Sequence, residues 1–210
     1  MDQMASAACR AGHALFLDCR SLHYENIPLP EGVSIVVLDT ATRHSNVDSG
    51  YNERFAQCQA AAHHFGVKAL RDVSLKELLE KGRGLDDVVY RRARHVVTED
   101  QRVLDAIAAM RLGDAVQLGL LFDASHVSMR DDFEITNDAL NTMVTVARRQ
   151  AGCYGARMTG GGFGGCAIAL VDSGHAENFA GRVAQEYRAE TNLVPSVYVC
   201  KPSQGAEIMV

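Results

Sequence analysis

The residues with the clearest capacity for chemistry are glycines. Seven of the 18 glycines lie between Gly152 and Gly165, and five of them fall in the run 160–165, Gly-Gly-Gly-Phe-Gly-Gly. Glycine has no Cβ and adopts positive φ angles at little cost, so such a run lets backbone N–H groups come close to a ligand. This is the chemistry of a phosphate cradle or of a tight loop against a substrate. The run is therefore the first candidate for a functional site.

Two familiar phosphate-binding loops do not fit this run. Gly160, Gly162 and Gly165 satisfy the pattern G-x-G-x-x-G, but a dinucleotide-binding loop follows a strand and precedes a helix. Here we predict a helix before the run (136–150) and a strand after it (166–171). A Walker A loop is excluded because the chain contains no Gly-Lys-Ser or Gly-Lys-Thr. A tight turn without a ligand stays open, although one or two glycines would suffice for it.

The elements that must position the run are strands and helices in mixed order. Continuous apolar runs predict strands at 13–19, 34–38, 166–171 and 195–200. Helical spacing predicts helices at 52–65, 74–80, 136–150 and 174–190. Ser74 and Glu77 are spaced as a capping box at the start of the second of these helices. The polar connection 39–51 is long enough to be functional or disordered.

Between residues 85 and 129, apolar residues recur at helical spacing and are expected to face the core. The positions are Leu85, Val89, Ala93, Val96, Leu104, Ile107, Leu112, Val116 and Leu120, with a break near Thr98. The same stretch holds the densest basic run, Arg91, Arg92, Arg94 and His95. Because Glu99 and Asp100 follow it closely, we interpret this run as a solvated helix face.

Composition narrows the class of protein further. The 210 residues carry 21 Lys+Arg against 26 Asp+Glu, a net charge of −5. The chain therefore has no excess of positive charge that would attract nucleic acid or an anionic membrane. Six scattered cysteines without a C-x-x-C pair predict reduced thiols. No stretch approaches the roughly 20 apolar residues of a membrane span. We therefore expect a cytoplasmic protein that binds neither nucleic acid nor membrane.

Several separated stretches together resemble one enzyme family, the GHMP sugar kinases in their galactokinase form. The stretch from Arg157 to Cys166, which contains the glycine run, is similar to the third, C-terminal motif of that family. Further similar stretches follow the family's order at 1–3 (Met-Asp-Gln), 13–15, 17–22, 91–95 and 128–135 (Ser-Met-Arg-Asp-Asp-Phe-Glu-Ile). The ending Tyr-Val-Cys-Lys-Pro-Ser-Gln-Gly-Ala at 198–206 resembles bacterial galactokinases. The resemblance implies an α+β fold, the GHMP-kinase C-terminal domain with an antiparallel sheet layered with helices, over residues 1–210.

The resemblance also implies an activity and a set of site residues. Galactokinases transfer the γ-phosphoryl group of ATP to the 1-hydroxyl of galactose, with Mg²⁺. The family's general base falls on Asp2, whose carboxylate can orient that hydroxyl and accept its proton. Tyr51 matches a tyrosine that hydrogen-bonds the sugar. Arg43 matches an arginine that lies near the catalytic aspartate in the family. The residues expected to line the place where substrate and nucleotide phosphates meet are Gly160, Gly161, Gly162, Phe163, Gly164 and Gly165.

The chain departs from the family pattern in its extent. The family's Arg…Gly-Glu-His sugar motif and its Gly-Leu-Ser-Ser-Ser-type phosphate loop, both of an N-terminal domain, do not occur in the 210 residues. We therefore expect a C-terminal half that is inactive alone, with the main ATP and Mg²⁺ ligands elsewhere and no metal ligands in this chain. Met1 to Arg20 would pack at the interface with the N-terminal domain. The exposed apolar face would bind a separate N-terminal half or a second copy.

Two other functions stay open beside the kinase. The first is a galactose-binding or sensor module without catalysis. The second is a kinase for a related sugar such as N-acetylgalactosamine; the Lys-Pro-Ser-Gln ending at 201–204 favours plain galactose.

Overall fold

The structure is a computed structural model that describes residues 2–43 and 47–207, with the backbone alone at 47–49. Its helices are α1 (Asp2–Ala8), α2 (Val47–Phe65), α3 (Leu75–Lys81), α4 (Asp87–Arg111), α5 (Ala115–Asp131), α6 (Asp138–Arg148) and α7 (Ala176–Thr191). Its strands are β1 (His13–Leu17), β2 (Tyr24–Pro28), β3 (Val33–Asp39), β4 (Cys153–Met158), β5 (Cys166–Asp172) and β6 (Ser196–Cys200). Single 3₁₀ turns lie at Leu70–Asp72 and Gly82–Gly84.

The strands form two antiparallel sheets. The larger sheet has the order β4-β5-β3-β6, and the smaller pairs β1 with β2. Strand β3 is central and pairs with β5 from Val33 opposite Asp172 to Asp39 opposite Cys166. This arrangement confirms the predicted α+β fold with an antiparallel sheet, and the predicted strands all form, with small shifts in their ends.

The larger sheet is covered by helices on both faces. Alternate residues of β3 and β5 point to opposite faces, as strand geometry requires. On one face, Val36 and Leu38 are fully buried and pack in the cluster that includes Phe179 and Tyr187 of α7. On the other face, Leu170 packs with Leu118 of α5. A separate small core joins α2, α3 and α4.

Side chains at the helix starts explain where several helices begin. Ser74 and Glu77 form the predicted capping box at α3. Asp86, Asp114 and Asn137 each accept a hydrogen bond from a backbone N–H in the first turn of α4, α5 and α6. These bonds satisfy donors that a helix start would otherwise leave without partners.

The close contact between α5 and β4 depends on two glycines. A Cβ on Gly119 would lie 2.1 Å from the carbonyl oxygen of Tyr154, and a Cβ on Gly155 would lie 2.0 Å from the carbonyl oxygen of Gly119. These distances are far below van der Waals contact, so the two backbones approach each other only because neither residue has a side chain.

Four sequence predictions about the elements are corrected. Strands β2 and β4 were not predicted, and α2 begins at Val47 rather than at residue 52. Helix α4 runs without a break through Thr98, whose hydroxyl bonds the carbonyl of Arg94 within the helix. The predicted core positions Leu104, Leu112, Val116 and Leu120 are instead exposed. Ala93 is buried as predicted, but the core side of α4 and α5 also includes small residues, such as Ala109 and Gly119, which the apolar spacing alone did not single out.

Two histidines lie buried in the helical part of the core. The amide of Met158 donates to Nδ1 of His126 at 3.2 Å, and Nδ1 of His95 lies 3.0 Å from the Ser128 hydroxyl. Burial lowers the pKa of each to about 4 from 6.5, and for His126 the nearby Arg148 contributes next. Both imidazoles are therefore neutral at pH 7.

All six cysteines are free, as predicted. Among residues 2–43 and 47–207, no helix has both the length and the apolar content that a membrane crossing requires.

We expect Gly119→Ala to lower the free energy of unfolding by about 2 kcal/mol or more, because the added methyl group overlaps the backbone of β4. Urea unfolding followed by circular dichroism measures this change. The matched control is Gly181→Ala in α7, where a Cβ meets nothing within 4 Å. That change should raise stability by about 0.5–1 kcal/mol, as is usual for alanine in place of glycine in a helix. Equal effects of the two substitutions would contradict the close-contact argument.

We also expect stability to fall as pH is lowered from about 6.5 toward 4. In this window the unfolded chain binds protons at His95 and His126 that the native state excludes, so each contributes a slope of up to about 1.4 kcal/mol per pH unit. Urea unfolding at pH 7, 6 and 5 should show a smaller loss for His126→Gln than for the wild type. His63→Gln, on the exposed side of α2, is the matched control, because it removes a histidine that lies outside the core. Parallel curves for all three proteins would refute the assignment.

Candidate active site

The glycine run is the loop of an antiparallel hairpin between β4 and β5. The amide of Thr159 donates to the carbonyl of Cys166 at 3.0 Å and closes the hairpin below the loop. A strand therefore precedes the run, which corrects our expectation of a helix there. A strand also follows it, so the dinucleotide-binding loop stays excluded because no helix follows the glycines.

The loop needs its glycines for two separate reasons. Gly160, Gly162, Gly164 and Gly165 all have positive φ, a conformation that favours glycine. A Cβ on Gly162 would also lie 2.5 Å from the carbonyl oxygen of Ile135, so the loop rests directly on the backbone there. At Gly160 and Gly161, in contrast, a Cβ meets nothing within 4 Å. The loop is thus held at its base and open at its tip.

Two backbone segments hold the base of the loop. On one side, Ile135 accepts a hydrogen bond from the Phe163 amide, and Asn137 donates from its side chain to the Phe163 carbonyl. On the other side, Thr40 donates to the Gly165 carbonyl from its amide at 3.1 Å and from its hydroxyl at 2.6 Å. The loop is therefore held by backbone bonds along both edges.

The segment 132–135, which we call the floor because the loop rests on it, is fixed by arginines. Arg54 donates to the carbonyls of Phe133 at 2.6 Å and Glu134 at 3.0 Å. Arg92 donates to the carbonyl of Asp132 at 2.5 Å and to the carboxylate of Glu134 at 2.6 Å. The guanidinium of Arg54 also lies 5.9 Å from the centre of the Phe163 ring. Two arginines thus tie the floor to α2 and α4, and one of them also reaches the loop.

This finding corrects our interpretation of the basic run as a solvated helix face. The side chain of Arg92 is only 2% exposed, and His95 is buried and stacks on Phe133 with ring centres 4.4 Å apart. Arg91 forms an ion pair with Glu134, and Arg94 forms one with Asp132. The hydrogen bonds from Arg91 and then Arg92 hold the pKa of Glu134 below its usual value.

Sequence analysis missed the role of Arg54 and of the acidic floor. The available signal was the complementary order of charges: a basic run at 91–94 and an acidic run at 131–134 about forty residues later. We compared the basic run only with its nearest acidic neighbours, Glu99 and Asp100. Glu99 instead binds Arg102, Ser125 and Arg157.

Arg43 lies close to the end of the glycine run, because the residues just before it, Thr40 and Thr42, form backbone hydrogen bonds with Gly165. Its guanidinium makes a two-bond ion pair with Asp39, at 2.8 and 2.9 Å, and the Arg43 side chain is 70% exposed. The hydrogen bond from Arg43 lowers the pKa of Asp39. Thr42, its neighbour, accepts a hydrogen bond from the Gly165 amide at 3.2 Å. The structure therefore brings Arg43 beside the loop.

Tyr51 also lies near the glycine run, because the preceding residue, Gly50, contacts Phe163. A Cβ on Gly50 would lie 2.7 Å from the tip of the Phe163 ring, so the first turns of α2 contact the loop. The Tyr51 side chain is 64% exposed, and the residue lies within the helix rather than before it. Residues 44–46 of the polar connection between Arg43 and α2 lie outside the described residues.

Asp2 lies on a separate element, in the first turn of the short helix α1. It is exposed and lines an apolar groove of about 450 Å³ between α1, β1 and α4, together with Leu15, Phe16 and Ile107. Within the described part of the chain, no hydrogen bond or ion pair joins Asp2 to Tyr51, Arg43 or the glycine run. The structure thus brings Arg43 and the helix turn of Tyr51 close to the glycine run, whereas Asp2 lies on a separate helix.

The described side chains do not form a metal centre. Within 2–43 and 47–207, no three or more His, Cys, Asp or Glu side chains are grouped so that they could hold a metal ion.

Comparison with known proteins shows which families the chain is similar to. Residues 106–189 match the family model "GHMP kinases C terminal". The chain is 45% identical to a galactokinase of Mannheimia succiniciproducens over 99% of its length, and 46% identical to a galactokinase of Actinobacillus succinogenes over 98% of its length. It spans 55% and 54% of these two relatives, so it matches about half of each.

The solved structures agree with the sequence comparison. A Lactococcus lactis galactokinase complexed with galactose superposes with a TM-score of 0.88 at 36% identity, over 93% of this chain and 52% of that one. An L. major mevalonate kinase in complex with R-mevalonate shares the fold, with a TM-score of 0.58 at 18% identity over 88% of this chain and 47% of that one. Residues 106–189 thus match the C-terminal domain of the GHMP kinases, and nearly the whole chain is similar to about half of a galactokinase.

Proposed function

We propose that this chain forms the C-terminal part of a galactokinase, which transfers the γ-phosphoryl group of ATP to the 1-hydroxyl of galactose. The observation that supports the proposal most strongly is the 45% identity to a galactokinase over 99% of this chain. The likeness in fold to a galactokinase complexed with galactose supports the same substrate. Because the chain spans about half of these relatives, the activity requires the other half as well.

The glycine loop is suited to the place where substrate and nucleotide phosphates meet. Its tip carries no side chain, and a Cβ at Gly160 or Gly161 would meet no atom within 4 Å, so a ligand can approach the backbone there. Its base is fixed by the floor and by Thr40, so the approach costs little reorganisation. We assign the loop, including Phe163, to lining this place.

Asp2 is assigned the role of general base. Its carboxylate orients the 1-hydroxyl of the sugar and accepts the proton that this hydroxyl loses when its oxygen attacks the γ-phosphorus. Tyr51 donates or accepts a hydrogen bond with the sugar. Arg43, whose guanidinium is ion-paired with Asp39, lies beside the loop and is assigned to substrate binding.

ATP and Mg²⁺ follow from the kinase family rather than from ligands in the described residues. The open loop tip is compatible with phosphate groups nearby, but the described side chains offer no cluster of metal-binding donors. We therefore assign no Mg²⁺ ligand to these residues. We propose that the main ligands of both lie in the part of the relatives that this chain does not match.

That other part is proposed to dock against the segment up to Arg20 and the exposed apolar side chains. The described residues of this segment, 2–20, include α1 and β1, and no residue of α1 is buried. Met1 lies outside the described residues. Leu112, Val116 and Leu120 are exposed and give a second apolar surface. In the absence of the other part, these surfaces favour self-association.

The main test is a chimera in which these 210 residues replace the matched part of the Mannheimia succiniciproducens galactokinase. We expect ATP-dependent phosphorylation of galactose, measured by coupled ADP release, whereas the 210 residues alone give none. In the chimera, Asp2→Asn should lower kcat by about 10²- to 10⁴-fold, because the general base is lost, with little change in galactose binding. Asp105→Asn, on the exposed side of α4, is the matched control and should keep full activity.

The same assay separates the alternatives. Calorimetric binding of galactose without any turnover by the chimera would favour the sensor function. A higher kcat/KM for N-acetylgalactosamine than for galactose would favour the related kinase. A kcat that is the same for Asp2→Asn and Asp105→Asn would refute the role of Asp2.

A second prediction concerns the sugar contact. Tyr51→Phe in the chimera should raise the KM for galactose by about 2- to 12-fold, the effect of one lost hydrogen bond, while kcat changes little. Tyr24→Phe removes a hydroxyl from an exposed tyrosine of β2 and should leave KM unchanged. Steady-state kinetics with varied galactose measures both, and an unchanged KM for Tyr51→Phe would remove this residue from the site.

A further inference from the structure

The helix that carries Asp2 has few internal means of staying in place. Helix α1 has only seven residues, and none of them is buried. Isolated helices of this length are marginal in water, since the cost of nucleation is recovered only over longer lengths. Its position must therefore be set by contacts with neighbouring segments.

The segment 201–207, which we call the strap, follows β6 and runs along the end of α1. The amide of Gly205 donates to the carbonyl of Cys9 at 2.8 Å, and the amide of Ala206 donates to the carbonyl of Ser6 at 2.8 Å. These acceptors lie in and just after the last turn of α1, where carbonyls have no partner within the helix. The strap thus supplies hydrogen-bond donors to carbonyl groups at the end of α1.

The strap also holds the turn that follows α1. The amide of Gly12 donates to the carbonyl of Pro202 at 3.1 Å, and the amide of Ala11 donates to the side-chain oxygen of Gln204 at 3.2 Å. On the other side of the helix end, the side chain of Asn26 donates to the carbonyl of Ala8 at 3.0 Å. The end of α1 and its turn are therefore held between the strap and β2.

Gly205 brings the strap and the helix into direct backbone contact. A Cβ there would lie 3.0 Å from the Cys9 carbonyl oxygen and 3.1 Å from the carbonyl carbon and oxygen of Ala7. These neighbours are backbone atoms, so a side chain at 205 would displace α1 by a few tenths of an ångström. Gly205 does not have a positive φ, so alanine at this position acts through the contact and not through backbone strain.

We propose that the strap is a positioning element for the proposed kinase reaction: through Gly205 it fixes the helix that carries Asp2. The inference rests on the proposed function, in which Asp2 is the general base. Transfer of a phosphoryl group depends on the placement of the groups around the nucleophile, and a misplacement of about 1 Å can cost roughly 10²-fold in rate. The strap acts through Asp2 and does not itself touch the substrate.

The first test measures kinetics in the galactokinase chimera. Gly205→Ala should lower kcat by about 5- to 20-fold, and Gly205→Val by more, because α1 moves while the sugar contacts remain. The KM for galactose should change less than about threefold. Gly181→Ala, where a Cβ has open space, is the matched control and should keep the wild-type kcat.

A double-mutant cycle separates positioning from a general structural defect. Once Asp2→Asn has removed the carboxylate, adding Gly205→Ala should have almost no further effect on kcat. Additive losses would show that Gly205 supports the fold in general and would overturn the inference. If Asp2→Asn lowers kcat and Gly205→Ala does not, the strap inference fails while the proposed function stands.

The second test needs no activity and uses the 210-residue chain. Hydrogen exchange followed by mass spectrometry should be about fivefold faster or more for peptides within 2–12 in Gly205→Val than in the wild type, with the sheet peptides unchanged. Gly181→Ala should leave the 2–12 peptides unchanged. Unaltered exchange in Gly205→Val would overturn the inference whether or not the chimera is an active kinase.

Discussion

The candidate site depends on one constraint: a loop of glycines with positive φ needs a rigid backbone surface to rest on. That surface is the floor at 132–135, and its carbonyls are polar groups that need partners inside the protein. Arg54 and Arg92 supply those partners, and Glu134 neutralises the charge that Arg92 brings into the interior. The Arg92 side chain is 2% exposed and that of Glu134 is 42% exposed, so removing Glu134 would leave the buried guanidinium uncompensated, and these residues act as a unit.

Close contacts made at glycines recur around the loop and elsewhere in the fold. Gly162 rests on the carbonyl of Ile135, Gly50 on the ring of Phe163, and Gly119 on the backbone next to Gly155. In each case the absence of a Cβ brings two elements closer than side chains would allow. In the same way, Gly205 brings the backbone of the strap close to the backbone at the end of α1. The uneven use of glycine therefore serves packing as much as ligand access.

Prediction from the sequence was most accurate where the determining interactions are local. The capping box of Ser74 and Glu77 depends on residues three apart, and it forms as expected. Strand β3 is a continuous apolar run because helices cover both faces of its sheet, and it was found from that run alone. Strand β4 was missed because Gly155 and Arg157 do not favour a strand; Gly155 is there for its contact with α5. The basic run was misjudged because its acidic partners lie about forty residues away.

By itself, the sequence determined the antiparallel α+β class, the family resemblance and the residues that the resemblance marks, since motifs and short-range patterns are carried by neighbouring residues. Only the tertiary structure decided that the glycine run is a hairpin loop, that Arg92 is buried beneath it, and that residues 201–207 hold the helix of Asp2. The physical reason is that these arrangements arise from contacts between residues far apart in the chain. Their strength depends on close backbone approach and on burial, which local patterns do not encode.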